Sequence, residues 1–249
     1  SKTFVEGARN FATKLWNAAR YCEMNECIYK SDFAPGTVQL PLNQWIIKSV
    51  DDLSVKVAQA IEAFKFNEAS QSLYQFIWGT FCDWYLEFSK PYLQDESAPE
   101  RPETQATIAW VLDRLVRMLH PFIPYVTETL WQDLHATNKL IISAGWPEDS
   151  IHFAHDVTSA FDDISWVIEV ISEIRSLKAE MNTSPATKLL LKIYEASPEI
   201  HRRARDFQAL LLRLARLEHV EVFSEPASES DMKGAAQALV TGATLILPL

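Results

Sequence analysis

Residues 3–24 read TFVEGARNFATKLWNAARYCEM. Turned by about 100° per residue, the advance of a helix with about 3.6 residues per turn, this string sorts itself by face. Phe4, Phe11, Leu15 and Cys22 fall within one narrow arc, flanked by Ala8, Ala12, Ala18 and Ala19. That arc predicts a buried stripe whose alanines allow a neighbouring helix to approach closely. The opposite arc carries Lys2, Arg9, Thr13 and Arg20 nearly in line, with Asn10, Lys14, Asn17 and Tyr21 beside them. Arg9 and Arg20 are eleven residues apart, about three whole turns, so both point the same way. Glu6 is the only acid among these residues, whereas an ordinary solvated face mixes Glu with Lys. Guanidinium and ammonium groups neutralise phosphate, asparagine amides donate to and accept from base edges, and a tyrosine can stack on an unpaired base. The competing reading is a solvated face whose polar groups do nothing specific, and the pattern alone leaves both open.

Apolar residues at helical spacing recur along the chain. Residues 43–64 carry them at Trp45, Ile46, Val50, Leu53, Val57, Ile61 and Phe64. Residues 67–89 carry them at Leu73, Phe76, Ile77, Phe81, Trp84 and Phe88. Pro99 and Pro102 mark a loop over 95–102, and a fourth helix is expected from about Thr104 to Leu119. His120-Pro121-Phe122-Ile123-Pro124 should break or kink it, with His120 a candidate to bond a freed carbonyl, before helix resumes through Val126, Leu130 and Trp131. Residues 138–158 look like an extended connection, and a fifth long helix is expected over Ser159–Met181. Strands are then expected at 189–194, 220–223 and 244–247, with one helix over 201–214. The expected fold is mainly α: a helical bundle over 1–150, then a long linking helix and a small α/β subdomain over 151–249.

Composition narrows the function classes. The 249 residues are 48% hydrophobic and 22% charged, ordinary for a globular chain, and no apolar run approaches the ~20 residues that span a bilayer. No membrane partner and no secretory signal are expected, which points to a soluble, cytoplasmic protein. The net charge of −10 argues against a uniformly basic nucleic-acid surface. Yet residues 1–90 hold nine Lys/Arg and ten Asp/Glu, against four and nine in 91–150 and ten and fourteen in 151–249. Any polyanion surface must therefore be local, and the charge balance points to the first third. Cys22, Cys27 and Cys82 show no Cys-x-x-Cys spacing and are expected to be free thiols. His152, His155 and Asp156 lack a fourth ligand nearby, so a solvent-facing loop is expected there and no metal.

The order of residues adds a resemblance. Arg9-Asn10-Phe11-Ala12-Thr13-Lys14-Leu15-Trp16-Asn17-Ala18-Ala19-Arg20 resembles the segment that opens the anticodon-binding helical domain of class I synthetases for branched aliphatic amino acids. Phe66-Asn67-Glu68-Ala69, then Phe81-Cys82-Asp83-Trp84-Tyr85-Leu86-Glu87 and Lys90-Pro91, look like the valine–tRNA ligase family in particular. So do Leu119 to Pro124 with Thr127-Glu128 and Leu130-Trp131, and Arg175-Ser176-Leu177-Lys178-Ala179-Glu180-Met181-Asn182 with Pro185. The four stretches keep the family's order and cover nearly the whole chain. Isoleucine enzymes often carry a cysteine cluster for zinc near their end, and nothing like it occurs here.

The resemblance implies an anticodon-binding region for tRNA(Val) followed by a junction domain. The His-Ile-Gly-His-like and Lys-Met-Ser-Lys-Ser-like signatures of the ATP-using catalytic domain are missing, so no catalytic residue and no cofactor are expected in this sequence. The chain stops at Leu247-Pro248-Leu249, where the family usually continues into a coiled-coil arm; the catalytic, editing and arm domains are expected to be separate from this monomeric piece. Motif-matching candidates for tRNA contact are Arg9, Asn10, Lys14, Asn17 and Arg20. Asn10 and Lys14 match the spacing of an asparagine and a basic residue that contact the anticodon in the methionine enzyme. Tyr92 falls where that enzyme has a stacking tryptophan, and Tyr21 is a similar candidate. Asp83, Trp84 and Glu87 are expected to be structural, since acids repel phosphate and Trp84 belongs to an apolar stripe. Arg175, Lys178 and Asn182 share a face of the fifth helix and are either backbone contacts or ordinary surface. An isoleucine-type anticodon domain and a helical scaffold for protein partners remain the alternatives.

Overall fold

The computed structural model describes residues 2–147 and 150–248, and the side chains from residue 5. The expectations for Lys2 and Phe4 concern side chains outside the described ones. The chain divides into two compact units, Ser1–Ala160 and Phe161–Leu249.

Unit 1 is helical: α1 (Lys2–Met24), α2 (Pro41–Glu62), α3 (Phe66–Gln75), α4 (Leu86–Gln94), α5 (Arg101–Leu119) and α6 (Pro124–His135). Prolines open α2 and α6 and stand in the first turn of α5, where a missing N–H costs nothing. The single α-helix expected over 67–89 needs correction. Between α3 and α4 the backbone widens into a π-helical stretch, Phe76–Tyr85, and helix continues to Gln94. Wider turns change which residues look inward. Tyr85 becomes fully buried, while Phe76 and Trp84, read as part of the apolar stripe, are only half-buried. Trp84 packs edge-on against Phe88 at 5.6 Å.

The core gathers around α5, which touches α1, α2, α3, α4 and α6. Its residues 106–116 are all buried, so its polar groups must find partners inside. The Glu103 carboxylate accepts the backbone N–H groups of Gln39 (2.8 Å) and Leu40 (3.0 Å) and the Asn43 amide (2.8 Å) at the start of α2. Asn43 in turn accepts from the buried Tyr85 hydroxyl at 2.8 Å. Asp113 accepts from the Trp131 indole (3.1 Å), meets His135 (2.8 Å) and pairs with Arg117 one turn on. Arg114 lies 4.4 Å over the Trp110 ring and donates to the Pro147 carbonyl at 3.1 Å.

The expected break falls between α5 and α6, but His120 meets the Thr127 hydroxyl (2.9 Å), not a freed carbonyl. The described parts of the 138–158 connection, 138–147 and 150–158, make contacts with the bundle. Ser54 donates to the Pro147 carbonyl, and His155, expected in a solvent-facing loop, is half-buried and bonds Gln44 at 2.7 Å. Gly36 accepts from the Ala154 N–H at 3.0 Å; a Cβ there would sit 2.1 Å from the His152 carbonyl oxygen.

In unit 2, α7 (Thr158–Glu180, from Phe161 onward) is followed by β1 (Leu189–Tyr194), α8 (Pro198–Asp206), α9 (Gln208–Leu214), β2 (Leu217–Val222), α10 (Glu229–Met232), β3 (Ala235–Val240) and β4 (Ala243–Pro248). The strand order is β2-β1-β4-β3; β1 and β2 run parallel through α8 and α9, and the other pairs are antiparallel. The single helix expected over 201–214 is two, separated at Phe207. Strand β3 carries no strand signal in the sequence because alanines fill it, and it turns into β4 through Gly242 at φ +77.

Lys178 overturns the expectation of surface. It is buried, and its ammonium donates to the carbonyls of Thr187, Ala215 and Arg216, each at 2.8 Å. All three of its protons are used, which ties the end of α7 to the α9–β2 turn and to the approach to β1. Burial, then the Arg216 charge, holds its pKa below the ordinary lysine value.

Glu103→Ala strips three donors of their acceptor and should cost unit 1 about 2–4 kcal/mol in urea unfolding, with Glu103→Gln losing less. An unchanged midpoint would remove Glu103 from the core argument. Lys178→Met should destabilise unit 2 by about 3 kcal/mol, read by amide exchange in β1 and β2, because three buried carbonyls lose their donor. Unaltered exchange would mean that water replaces the ammonium freely.

Candidate nucleic-acid interface

Helix α1 is covered on one side only. Phe11, Leu15, Ala18, Ala19 and Cys22 are buried as the wheel predicts, though Ala12 is half-buried and Ala8 exposed. The helix ends on a left-handed residue, Glu26 at φ +59. The Cys27 N–H reaches back to the Cys22 carbonyl (3.0 Å) and the Glu26 N–H to that of Glu23 (2.9 Å), which brings the two cysteines together. The thiols of Cys22, Cys27 and Cys82 are free and buried. Burial drives the Cys82 thiol up to about 12.

On the uncovered side Arg9, Asn10, Thr13, Asn17 and Arg20 are all exposed. Neither guanidinium of Arg9 and Arg20 is engaged by another described residue. The Thr13 hydroxyl turns back to the Arg9 carbonyl at 2.9 Å.

Two candidates are held differently. Lys14 is half-buried; its ammonium bonds the Asp83 carboxylate at 2.7 Å and lies 5.1 Å over the Trp78 ring. The hydrogen bond to Asp83 raises its pKa above the ordinary lysine value, with burial opposing. Trp78 stacks on Tyr74 (5.8 Å), which meets Phe11 (5.0 Å), so an aromatic row ends at the Lys14 ammonium. Tyr21 is half-buried, with the Lys90 ammonium 6.0 Å from its ring centre and Lys90 also paired with Glu87. Lys14 and Tyr21 therefore belong to the seam between α1 and the π-helical stretch and α4.

Tyr92 stands apart on α4, half-buried, with its hydroxyl pKa raised by burial and then by Glu100. Asp83 has a structural bond, as its acidity suggested. Trp78 carried no signal, because its contact to Lys14 spans distant sequence and the wide turns disguise its face. In unit 2, Arg175 and Asn182 are exposed, Arg175 donating to the Leu214 carbonyl at 3.1 Å, while Lys178 is withdrawn as described.

An open row of two guanidiniums and two amides suits a polyanion that also presents unpaired hydrogen-bonding edges. Comparison with known proteins bears on which one. Residues 43–194, from within α2 to the end of β1, match the family described as the anticodon-binding domain of tRNA ligase. The chain belongs to this family. Relatives of this anticodon-binding domain include the valine–tRNA ligase of Caulobacter vibrioides, 44% identical over 235 residues, covering 92% of this chain and 26% of that protein. Those of Rhizobium meliloti (40% identical, 98% and 25%) and Zymomonas mobilis subsp. mobilis (39%, 98% and 27%) are similar. The chain spans about a quarter of the length of the curated relatives it matches. Helix α1, with its exposed row, precedes the matched stretch, whereas the alignment with the Rhizobium meliloti protein takes in 98% of the chain.

Asp83→Asn removes the carboxylate that raises Lys14, so the Lys14 ammonium should titrate at lower pH when followed by NMR of its side-chain carbon. Stability should change by less than about 1 kcal/mol, because the pair is solvent-screened. A titration that does not move would show that other groups set this ammonium.

Proposed function

We propose that this anticodon-binding domain serves a valine–tRNA ligase and that the outward row of α1 meets the anticodon loop of tRNA(Val). Unit 1 is then the bundle that holds the loop, and unit 2 is the junction that follows it. The observation that carries this reading is the exposure of Arg9, Asn10, Asn17 and Arg20 along one line of α1, with both guanidiniums unengaged by described residues. The valine–tRNA ligase names of its relatives favour valine over an isoleucine-type specificity.

Valine anticodons share their second and third letters and vary in the first. The row should therefore read two splayed bases and tolerate the third. Amide and guanidinium contacts to base edges supply discrimination of about 1–3 kcal/mol each. Lys14 adds a charge beside the loop whose direction Asp83 fixes, and Tyr21 adds an aromatic edge under Lys90. In this reading the joining of valine to tRNA, with its ATP, belongs to other portions of a cytoplasmic, monomeric enzyme. Among the described residues no helix is long and apolar enough to cross a membrane.

A titration of the chain with a valine anticodon stem-loop should show tighter binding than to a hairpin with an altered middle base. Arg20→Ala should weaken binding by about 5- to 100-fold if it reads a base. If it meets only phosphate, the loss should be smaller and the salt slope should fall by about 0.7. Equal affinity for both hairpins would defeat base reading by this face.

A further inference from the structure

Trp78 and Asp83 are five residues apart, yet both meet one ammonium group. The Lys14 Nζ bonds the Asp83 carboxylate at 2.7 Å and lies 5.1 Å over the Trp78 ring. In an α-helix, residues five apart point about 140° away from each other, so such a pair does not converge on one cation. Here both stand in the π-helical stretch Phe76–Tyr85, whose wide turns bond residues five apart and bring them toward one side. The change of pitch thus builds a clamp of one ring and one carboxylate on Lys14. On α1 the clamped residue is flanked, one turn away in each direction, by the exposed Asn10 and Asn17. Its side chain is 34% exposed, and of its three N–H donors the described residues use one, through Asp83.

An ammonium held in this way differs from the Arg9 and Arg20 guanidiniums, which no other described residue engages. Its charge is matched 2.7 Å away, so an arriving phosphate meets the Asp83 carboxylate together with the ammonium. A neutral acceptor, such as a ring nitrogen or carbonyl oxygen of an unstacked base, meets the open N–H donors without that repulsion. We propose that Asp83 is a specificity-determining residue of the α1 face: through the clamp it withholds Lys14 from phosphate and leaves it a directed donor to a base edge. Asp83 is a positioning residue in this arrangement, because it acts through Lys14 and does not itself touch RNA. Trp78 limits where the ammonium can swing, and the π-helical pitch keeps ring and carboxylate on the same side of it. The inference rests on the reading that the outward row of α1 meets an unpaired RNA loop. It gives an acid at an RNA-facing surface a purpose: the ion pair lowers attraction to any phosphate and raises discrimination between bases.

The test measures the affinity of the 249-residue chain and its variants for a valine anticodon stem-loop and for the hairpin with an altered middle base, each over a range of salt. Asp83→Asn frees the ammonium for phosphate. It should bind the altered hairpin more tightly at low salt, steepen the salt slope by about 0.7 and cut the ratio of the two affinities by about fivefold. Asp83→Glu keeps the pair and should hold the slope of the unaltered chain. The double variant Lys14→Gln with Asp83→Asn has the net charge of the unaltered chain, so it should keep the slope and lose the same share of the ratio. An Asp83→Asn chain that keeps both ratio and slope, or that weakens both hairpins equally, overturns the proposal and leaves base reading by α1 standing. If the unaltered chain does not distinguish the hairpins, the reading of α1 fails and this inference fails with it.

Discussion

A helix surrounded on every side can keep a polar atom only against another polar atom, and α5 imposes that constraint on unit 1. Its residues 106–116 are all buried, yet Asp113 and Arg114 lie among them and Glu103 stands just before. Each reaches a different neighbour: Glu103 the start of α2, Asp113 the indole and imidazole of α6, Arg114 the carbonyl of Pro147. Apolar contact alone would let helices slide along one another, since dispersion has little direction. A buried carboxylate that loses a donor pays a desolvation penalty at once, so these three residues fix the register of α2, α6 and the 138–158 connection around α5.

That arrangement explains why α1 has an open side. Its alanines allow the covered side to sit close, and the Glu26 turn stops the helix so that Cys27 folds under Cys22. The aromatic row from Phe11 through Tyr74 to Trp78 then abuts Lys14 and directs its ammonium to Asp83. One edge of the polar face is thus pinned by charge and ring contacts. The rest, from Arg9 to Arg20, is held only through the backbone of a rigid helix. A fixed spacing of about three turns between two guanidiniums unengaged by other described residues is geometry that a loop of similar composition would not supply.

The sequence made legible what depends on a steady period. Helix α1, its buried stripe and its outward row follow from advancing a fixed angle per residue, and so do α2, α5 and α7. The π-helical stretch was not legible, because a local change of pitch leaves each short window of residues looking helical while shifting Tyr85 inward and Trp84 outward. Strand β3 was not legible because Ala235, Ala236 and Ala238 show neither β-branching nor alternation; its pairing with β4 supplies what local preference does not. Lys178 shares a helix face with Arg175, and periodicity assigns both to water. Only the fold reveals that one lysine meets three converging carbonyls, which take all three of its N–H donors. Among the candidate tRNA-facing residues on α1, the wheel placed Arg9, Asn10, Asn17 and Arg20 outward as found, but it could not show that Lys14 and Tyr21 are half-buried or that Asp83, distant in sequence, takes Lys14.

The negative charge of the chain and the cationic row on α1 are complementary features. Long-range attraction between an acidic protein and an RNA backbone is weak or repulsive at any ionic strength, and at physiological salt charges more than about 8 Å apart are largely screened. Affinity must therefore come from contacts made only on close approach, which depend on shape and on the edges of unstacked bases. A uniformly basic surface would bind any duplex and lose discrimination to phosphate attraction. In the proposed function, confining guanidiniums unengaged by other described residues to one face, with the nearby Lys14 and Lys90 ammonium groups paired to Asp83 and Glu87, favours a ligand that presents phosphate and open base edges together. On the proposed reading, an acidic background favours selectivity over strength, and Arg9 and Arg20 on α1 decide where such a ligand sits.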